Sequence, residues 1–304
     1  MALLSAPAGA QARRVGEYRE LHMGVEVRIV LHARDDAHAR GAARAAYDRI
    51  AALENITSDY RPESELRRFE SRAGEWVPIG RDLLAVLSTA LAVARASDGA
   101  FDPTVGPLVV LWREARRSGR LPNTRALDSA RALVGWGRLV VDTAGARARL
   151  QDEGMRLDLG GVAKGYILQR ALDELRAHGV RSALIEAGGD IAVGDAPPGE
   201  RGWRVAAPFG DSAVRSRAAA LSNAFVATSG PSAQVVEIGG RRYSHVVDPR
   251  TGVPLGRPVH ATVIATDGAI ADALATALTL VLPERREGLI AGYRDYVRAW
   301  SVRE

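Results

Sequence analysis

The chain has 304 residues, enough for one large domain or two small ones and for a buried core. Apolar residues make up 47% and charged residues 25%, ordinary for a globular protein, and the net charge of +5 comes from scattered arginines with no dense basic run, so nucleic-acid binding is not indicated. The absence of cysteine excludes disulfides, thiolate metal sites, cysteine nucleophiles and a lipobox anchor, and no apolar run approaches the roughly 20 residues of a membrane span.

Met1 to Ala12 is small and apolar, with a run of alanines that resembles the end of a secretory signal, so residues 1–17 are predicted to be a signal-peptide remnant or a disordered tail, followed by one domain over 18–304. Val25, Val27, Ile29 and Leu31 alternate with Glu26, Arg28 and Val30, which predicts a strand with one buried face. Asp36 is placed to cap a helix reaching about Leu53, with Ala42, Ala46, Ile50 and Leu53 inward. A short helix over 64–69 follows, then a helix over 81–97 that stops at Asp98-Gly99. The segment 100–107 holds too many breakers for a regular element and reads as a specified loop.

Beyond it the pattern predicts a helix over 123–133 and strands at 138–141, 148–150 and 155–159. A helix follows with Ile167, Leu168, Ala171, Leu172 and Leu175 inward. Strands at 182–186, 191–193 and 203–206 come next, with the turn Ala187-Gly188-Gly189-Asp190 between the first two. Residues 235–238 and 241–244, joined by Gly239-Gly240, form the clearest hairpin. A strand at 259–265, an apolar helix at 270–282, a short helix and a strand at 296–301 complete the chain. Hairpins outnumber βαβ units, which favours an α+β fold with mostly antiparallel or mixed sheets and packed helices.

The stretch Leu157-Asp158-Leu159-Gly160-Gly161-Val162-Ala163-Lys164-Gly165-Tyr166 is the centre of the functional reading. Its glycine turn opens a helix, a ready anion site, and Lys164 is the single lysine of the chain. It is neither a Walker A loop nor a dinucleotide fingerprint; an ordinary strand-to-helix turn is the alternative. Asp272 and Thr276, four apart on one helix face, suit a hard cation, or else Asp272 stabilises the helix start and Thr276 fills the core. His245, at a strand end, is either a general base or a hydrogen-bonded turn histidine. Asp102 either accepts from a ligand or caps its own turn.

These residues fall within eight blocks in a familiar order. They are Met23-Gly24; Ser58-Asp59-Tyr60-Arg61-Pro62 with Ser64-Glu65-Leu66; Phe101-Asp102-Pro103-Thr104-Val105-Gly106-Pro107-Leu108; Asp158 to Tyr166; Ala187-Gly188-Gly189-Asp190-Ile191; Ala227-Thr228-Ser229-Gly230; Tyr243 to Gly252; and Ala271 to Leu278. The sequence resembles the ApbE family of Mg²⁺-dependent FAD:protein FMN transferases. The resemblance implies a T-fold-like architecture with FAD as substrate, contacted by Met23, Tyr60, Ala100, Phe101, Asp102, Asp158, Lys164 and Val247, some through backbone atoms. It also implies Mg²⁺ on the Gly161 carbonyl, the Asp272 carboxylate and the Thr276 hydroxyl, with His245 assigned as the base.

The reaction so implied moves FMN to a Ser or Thr hydroxyl of an acceptor protein and releases AMP. The acceptor would carry an Asp-x-x-Ser/Thr-Gly-Ala-Ser/Thr-like motif, as in envelope redox proteins, and the location would be periplasmic or cell-envelope. Three departures stand out: Val25 replaces the usual Thr after Met-Gly, Pro231-Ser232-Ala233-Gln234 replaces a stretch usually carrying an acidic or Asn residue, a tyrosine and often arginines, and the lipobox cysteine is absent. The second motivates one alternative, an FAD-storing protein; another is an FAD pyrophosphatase giving FMN and AMP, with water in place of the acceptor hydroxyl.

Overall fold

The computed structural model describes residues 14–207, 217–230 and 235–304. Most of the alanine-rich start and the 231–234 departure therefore lie outside the described residues. Strands β1 (Arg14–His22) and β2 (Val25–Ala33) pair as a hairpin, so residues 14–17, assigned to a tail from the sequence, belong to the sheet. Helix α1 (Asp36–Thr57) follows, and its cap is Asp35 rather than Asp36: the Asp35 side chain accepts from the His38 amide at 2.8 Å. Then come α2 (Glu65–Glu70), β3 (Val77–Pro78), α3 (Arg81–Ala96), α4 (Gly106–Ser118), α5 (Thr124–Ala132), β4 (Leu139–Asp142), β5 (Arg147–Leu150) and α6 (Ala163–Ala177). The second half contains β6 (Ala183–Ala187), β7 (Asp190–Val193), β8 (Trp203–Ala207), β9 (Arg217–Leu221), β10 (Ala224–Ser229), β11 (Val236–Ile238), β12 (Arg241–Tyr243), β13 (His260–Ala265), α7 (Gly268–Leu280), α8 (Pro283–Ala291) and β14 (Val297–Arg303).

Seven strands form one sheet in the order β1-β2-β6-β7-β10-β13-β14, and every neighbouring pair is antiparallel. The expected α+β class with antiparallel sheets is therefore present. Period-two alternation divides the sheet into two cores. Val27, Ile29 and Leu31 of β2, Ile185 of β6, Phe225 and Ala227 of β10 and Val263 of β13 enter the main core with α1, α3, α6 and α7. The residues between them, Leu184, Ala224, Val226 and Ile264, pack on the other face with Trp203 and Val205 of β8. A one-residue slip of any central strand would exchange these sets, so burial on both faces fixes the register.

Within the helical layer, α6 and α7 touch backbone to backbone. A Cβ on Gly165 would sit 1.9 Å from the Gly268 carbonyl oxygen, and one on Gly268 would sit 2.2 Å from that of Gly165. Only a pair of glycines allows this approach, and it sets the start of α7 against the start of α6.

The sequence reading misses four strands, β1, the two-residue β3, β9 and β10, and the helix α4, whose Gly106-Pro107 start looks like a breaker. Proline in the first turn lacks an N–H that the helix would leave unbonded anyway, so it starts α4 rather than stopping it. Conversely, 155–159 is not a strand. Met155, Leu157 and Leu159 are buried in strand-like alternation. However, the Leu157 amide donates to Glu70 Oε1 at 2.6 Å and the Asp158 amide to the Pro103 carbonyl at 2.8 Å, so no neighbouring strand takes these bonds.

Candidate active site

The close α6–α7 crossing builds the floor of the site. The Gly165 amide, in the first turn of α6, donates to Asp272 Oδ2 of α7 at 3.0 Å. Next to it, Lys164 Nζ lies 3.0 Å from Asp190 Oδ2. Asp190 comes from the Gly188-Gly189 turn into β7, and its other oxygen accepts from the Thr228 amide of β10 at 3.0 Å. Burial works against the Lys164 ammonium, yet Asp190 and Asp272 outweigh it and raise its pKa. Asp272 is buried with a like charge at Asp190, and its pKa is pushed up to about 7 despite Lys164 and the Gly165 amide. The floor thus holds one more carboxylate than cation.

Thr276 lies one turn along α7 from Asp272. A Cβ on Gly161 would stand 2.8 Å from Thr276 Oγ1 and 3.2 Å from the Phe101 ring, so the glycine turn, the 100–107 loop and α7 converge there. Among the described residues no three His, Asp or Glu side chains are grouped to hold a metal. A cation at this point would take one carboxylate, a hydroxyl and a carbonyl, with its remaining ligands from substrate or water, which suits Mg²⁺. The buried Asp272, with one hydrogen bond and an unfavourable charge, fits that role.

The rim is held differently. Arg113 of α4 lies over the Tyr60 ring, 4.2 Å from its centroid. It donates to Asp59 Oδ2, and to Asp158 Oδ2 at 3.2 Å. The other Asp158 oxygen accepts from the Gly160 amide at 2.8 Å. Burial, with the Asp59 charge, pushes the Asp158 pKa up while Arg113 opposes the shift. Tyr60 is 74% exposed and lines an open recess of about 630 Å³ with Ile56, Arg61 and Pro62.

His245 follows β12 and is exposed. The protein around its ring, then the charges of Arg116 and Lys164, lower its pKa, so the ring is neutral at pH 7. Its loop is braced by α4: Trp112 Nε1 donates to the Gly252 carbonyl at 2.8 Å, and the Trp112 and Tyr243 rings lie 5.0 Å apart.

The remaining sequence-expected residues divide. Asp102 is a cap: it accepts from the Thr104 amide (2.7 Å) and hydroxyl (2.6 Å) and from the Trp136 amide (2.9 Å), so both its oxygens are engaged within the protein. Ala100 is fully buried beside it. Met23 occupies the two-residue β1–β2 turn at a φ of 52°, followed by Gly24 at 72°, the pair of left-handed conformations that a tight hairpin turn of this kind requires. Val247 is buried, packs in one cluster with Leu108 and Trp112, and bridges to Pro254. The sequence reading passed over Asp190, Arg113 and Arg116 as site residues. Only Asp190 had a signal, its place in the Ala187-Gly188-Gly189-Asp190-Ile191 block, and the structure supplies its partner in Lys164.

An antiparallel α+β fold with a glycine turn, a buried Lys–Asp pair and a carboxylate–hydroxyl pair on one helix defines the class. Comparison with known proteins then identifies it: the ApbE family profile matches residues 23–300, and the chain belongs to that family. It is 32% identical over 267 residues to the FAD:protein FMN transferase of Klebsiella pneumoniae (strain 342), covering 87% of this chain and 82% of that one. It is 30% identical over 330 residues to that of Treponema pallidum (strain Nichols), covering 95% and 91%. In structure it is similar to the ApbE protein from Thermotoga maritima, with a TM-score of 0.82 at 27% identity over 96% of this chain and 97% of that one. The apo flavinyl transferase ApbE of Pseudomonas stutzeri gives a TM-score of 0.80 at 28% identity, over 96% and 94%. Among the described residues, no helix is long and apolar enough to cross a membrane.

Proposed function

We propose that this chain transfers FMN from FAD to a Ser or Thr hydroxyl of an acceptor protein. The observation that carries the reading is the floor: Asp272, raised to about 7, set beside Lys164 and one helical turn from Thr276 and the Gly161 turn. Family membership supplies the chemistry this arrangement suits. Asp272, Thr276 and the Gly161 carbonyl would hold Mg²⁺, which when bound neutralises charge on the pyrophosphate. Lys164, kept protonated by Asp190, contributes a positive charge beside the leaving phosphate. Tyr60 presents an open aromatic face, and Met23, Ala100, Phe101, Asp102, Asp158 and Val247 complete the FAD contacts, with Asp102 and Val247 limited to backbone atoms.

His245, neutral at pH 7, takes the proton as the acceptor oxygen forms its bond to the FMN-side phosphorus. The bond from that phosphorus to the bridging oxygen breaks, and AMP leaves with the bridging oxygen. The acceptor would carry an Asp-x-x-Ser/Thr-Gly-Ala-Ser/Thr-like motif, in an envelope redox protein, and the reaction would then be periplasmic or at the cell envelope.

The test is incubation with FAD, Mg²⁺ and a protein bearing Asp-x-x-Thr-Gly-Ala-Thr, read by intact mass and in-gel flavin fluorescence. An FMN-sized gain on the threonine is expected. FAD recovered bound and unchanged, or FMN and AMP without an adduct, would instead identify a storage protein or a pyrophosphatase.

A further inference from the structure

Arg113 stands outside every motif that marks the site, yet its guanidinium meets three groups from two distant segments. It pairs with Asp59 and lies over Tyr60 in the α1–α2 loop, and it reaches Asp158 at the entry to the glycine turn. Through Asp158 it connects to the Gly160 amide, one residue from the turn position packed on Thr276. Arginine suits this place because its planar fork can serve two carboxylates while its flat face covers a ring; a lysine ammonium can pair but cannot stack in that way. With one face of Tyr60 under Arg113, the opposite face is left for a planar ligand. An unclamped exposed tyrosine would lose rotamer freedom on each binding event, and the clamp removes that cost beforehand.

We propose that Arg113 is a positioning residue for flavin: it pre-sets the Tyr60 ring and ties it to the glycine turn, so that FAD meets a fixed stacking face. This rests on the FMN-transfer reading above. Its signature is coupling between Arg113 and Tyr60 in FAD affinity, with little change in the chemical step.

The experiment is a double-mutant cycle with Arg113→Gln and Tyr60→Leu, measuring FAD binding by flavin fluorescence quenching and transfer to the threonine acceptor. Each single variant is expected to raise the FAD Kd about tenfold and the double variant also about tenfold, because the second change removes nothing further. The kcat at saturating FAD should move less than about threefold, since the clamp acts on binding. Arg113→Lys, which retains the charge between the carboxylates, should keep the melting temperature and recover only part of the affinity. It carries the test if Arg113→Gln does not fold. Additive losses of about a hundredfold, an unchanged Kd in Arg113→Gln, or full affinity in Arg113→Lys would each overturn the proposal. If the wild-type chain itself bound no FAD, the transfer reading would fall and this proposal with it, an outcome distinct from binding without coupling.

Discussion

Lys164 between Asp190 and Asp272, and Arg113 between Asp59 and Asp158, are two versions of one arrangement, a cation flanked by two carboxylates. At the rim the guanidinium contacts both acids. On the floor the ammonium is in contact with Asp190, while Asp272 is held by the Gly165 amide. The chemistry of the cation explains the difference. A fork engages two acceptors at once and makes a clamp, whereas a point charge settles on one and leaves the other carboxylate without an ion-pair contact. Burial then turns that remainder into a strong local demand for positive charge, which is why Asp272 rather than Asp158 is the candidate cation ligand.

The largest expected effect follows from that remainder. Asp272→Ala should leave no measurable Mg²⁺-dependent turnover while circular dichroism and the melting temperature stay near wild type; full activity with Mg²⁺ as the sole metal would break the comparison at its centre. Next comes His245→Ala, for which a rate loss of about 10²–10⁴ is expected with FAD binding retained. The sign of its pH dependence is fixed. His245 acts as a base only when neutral, its pKa lies below the ordinary value of about 6.5, and kcat/KM should fall as pH drops through that lowered value. The variant should lose this acid limb, and a profile with the limb intact would assign it to another group.

Stability separates the two cation sites more directly. Asp190→Ala strips Lys164 of its contact partner inside the floor, and urea unfolding should show a loss of about 3–5 kcal/mol. Asp59→Ala leaves Arg113 with Asp158 and partial solvent access, so about 1 kcal/mol is expected. Equal losses would mean that the rim is as dry as the floor.

How much of this was legible depends on where the information resides in the chain. The floor was readable because its parts are local: Lys164 in a glycine turn, and Asp272 and Thr276 four apart on an apolar helix. Its closing contact was less visible, since nothing in the neighbourhood of Gly165 shows that Gly268 presses against it. The strands of the main sheet were read where apolar and polar residues alternate, as in β2. They were missed in β10, where Ala224, Phe225, Val226 and Ala227 are buried on both faces and no alternation remains. At the rim Tyr60 and Asp158 are legible in their motifs, but the side chains that hold the rim are not. Reading Gly106-Pro107 as a breaker removes α4, and with it Arg113, which covers Tyr60, and Trp112, which braces the His245 loop. At Asp102 the sequence left two readings open, ligand acceptor or turn cap, and its side chain is engaged by the Thr104 amide and hydroxyl and by the Trp136 amide, a partner 34 residues away that no local pattern reveals.

The smallest effect tests whether the rim tunes the base. Arg116 has no ion-pair partner among the described residues within the salt-bridge distance, and its charge bears on both Tyr60 and His245. Arg116→Gln should change stability by less than about 0.5 kcal/mol, because no paired group is left behind. Its effect should appear in the pH profile alone. Removing a positive charge near the imidazole makes protonation easier, so the acid limb of kcat/KM should move to higher pH while the plateau rate is kept. A limb that stayed in place would show that burial and Lys164 set the base without help from α4.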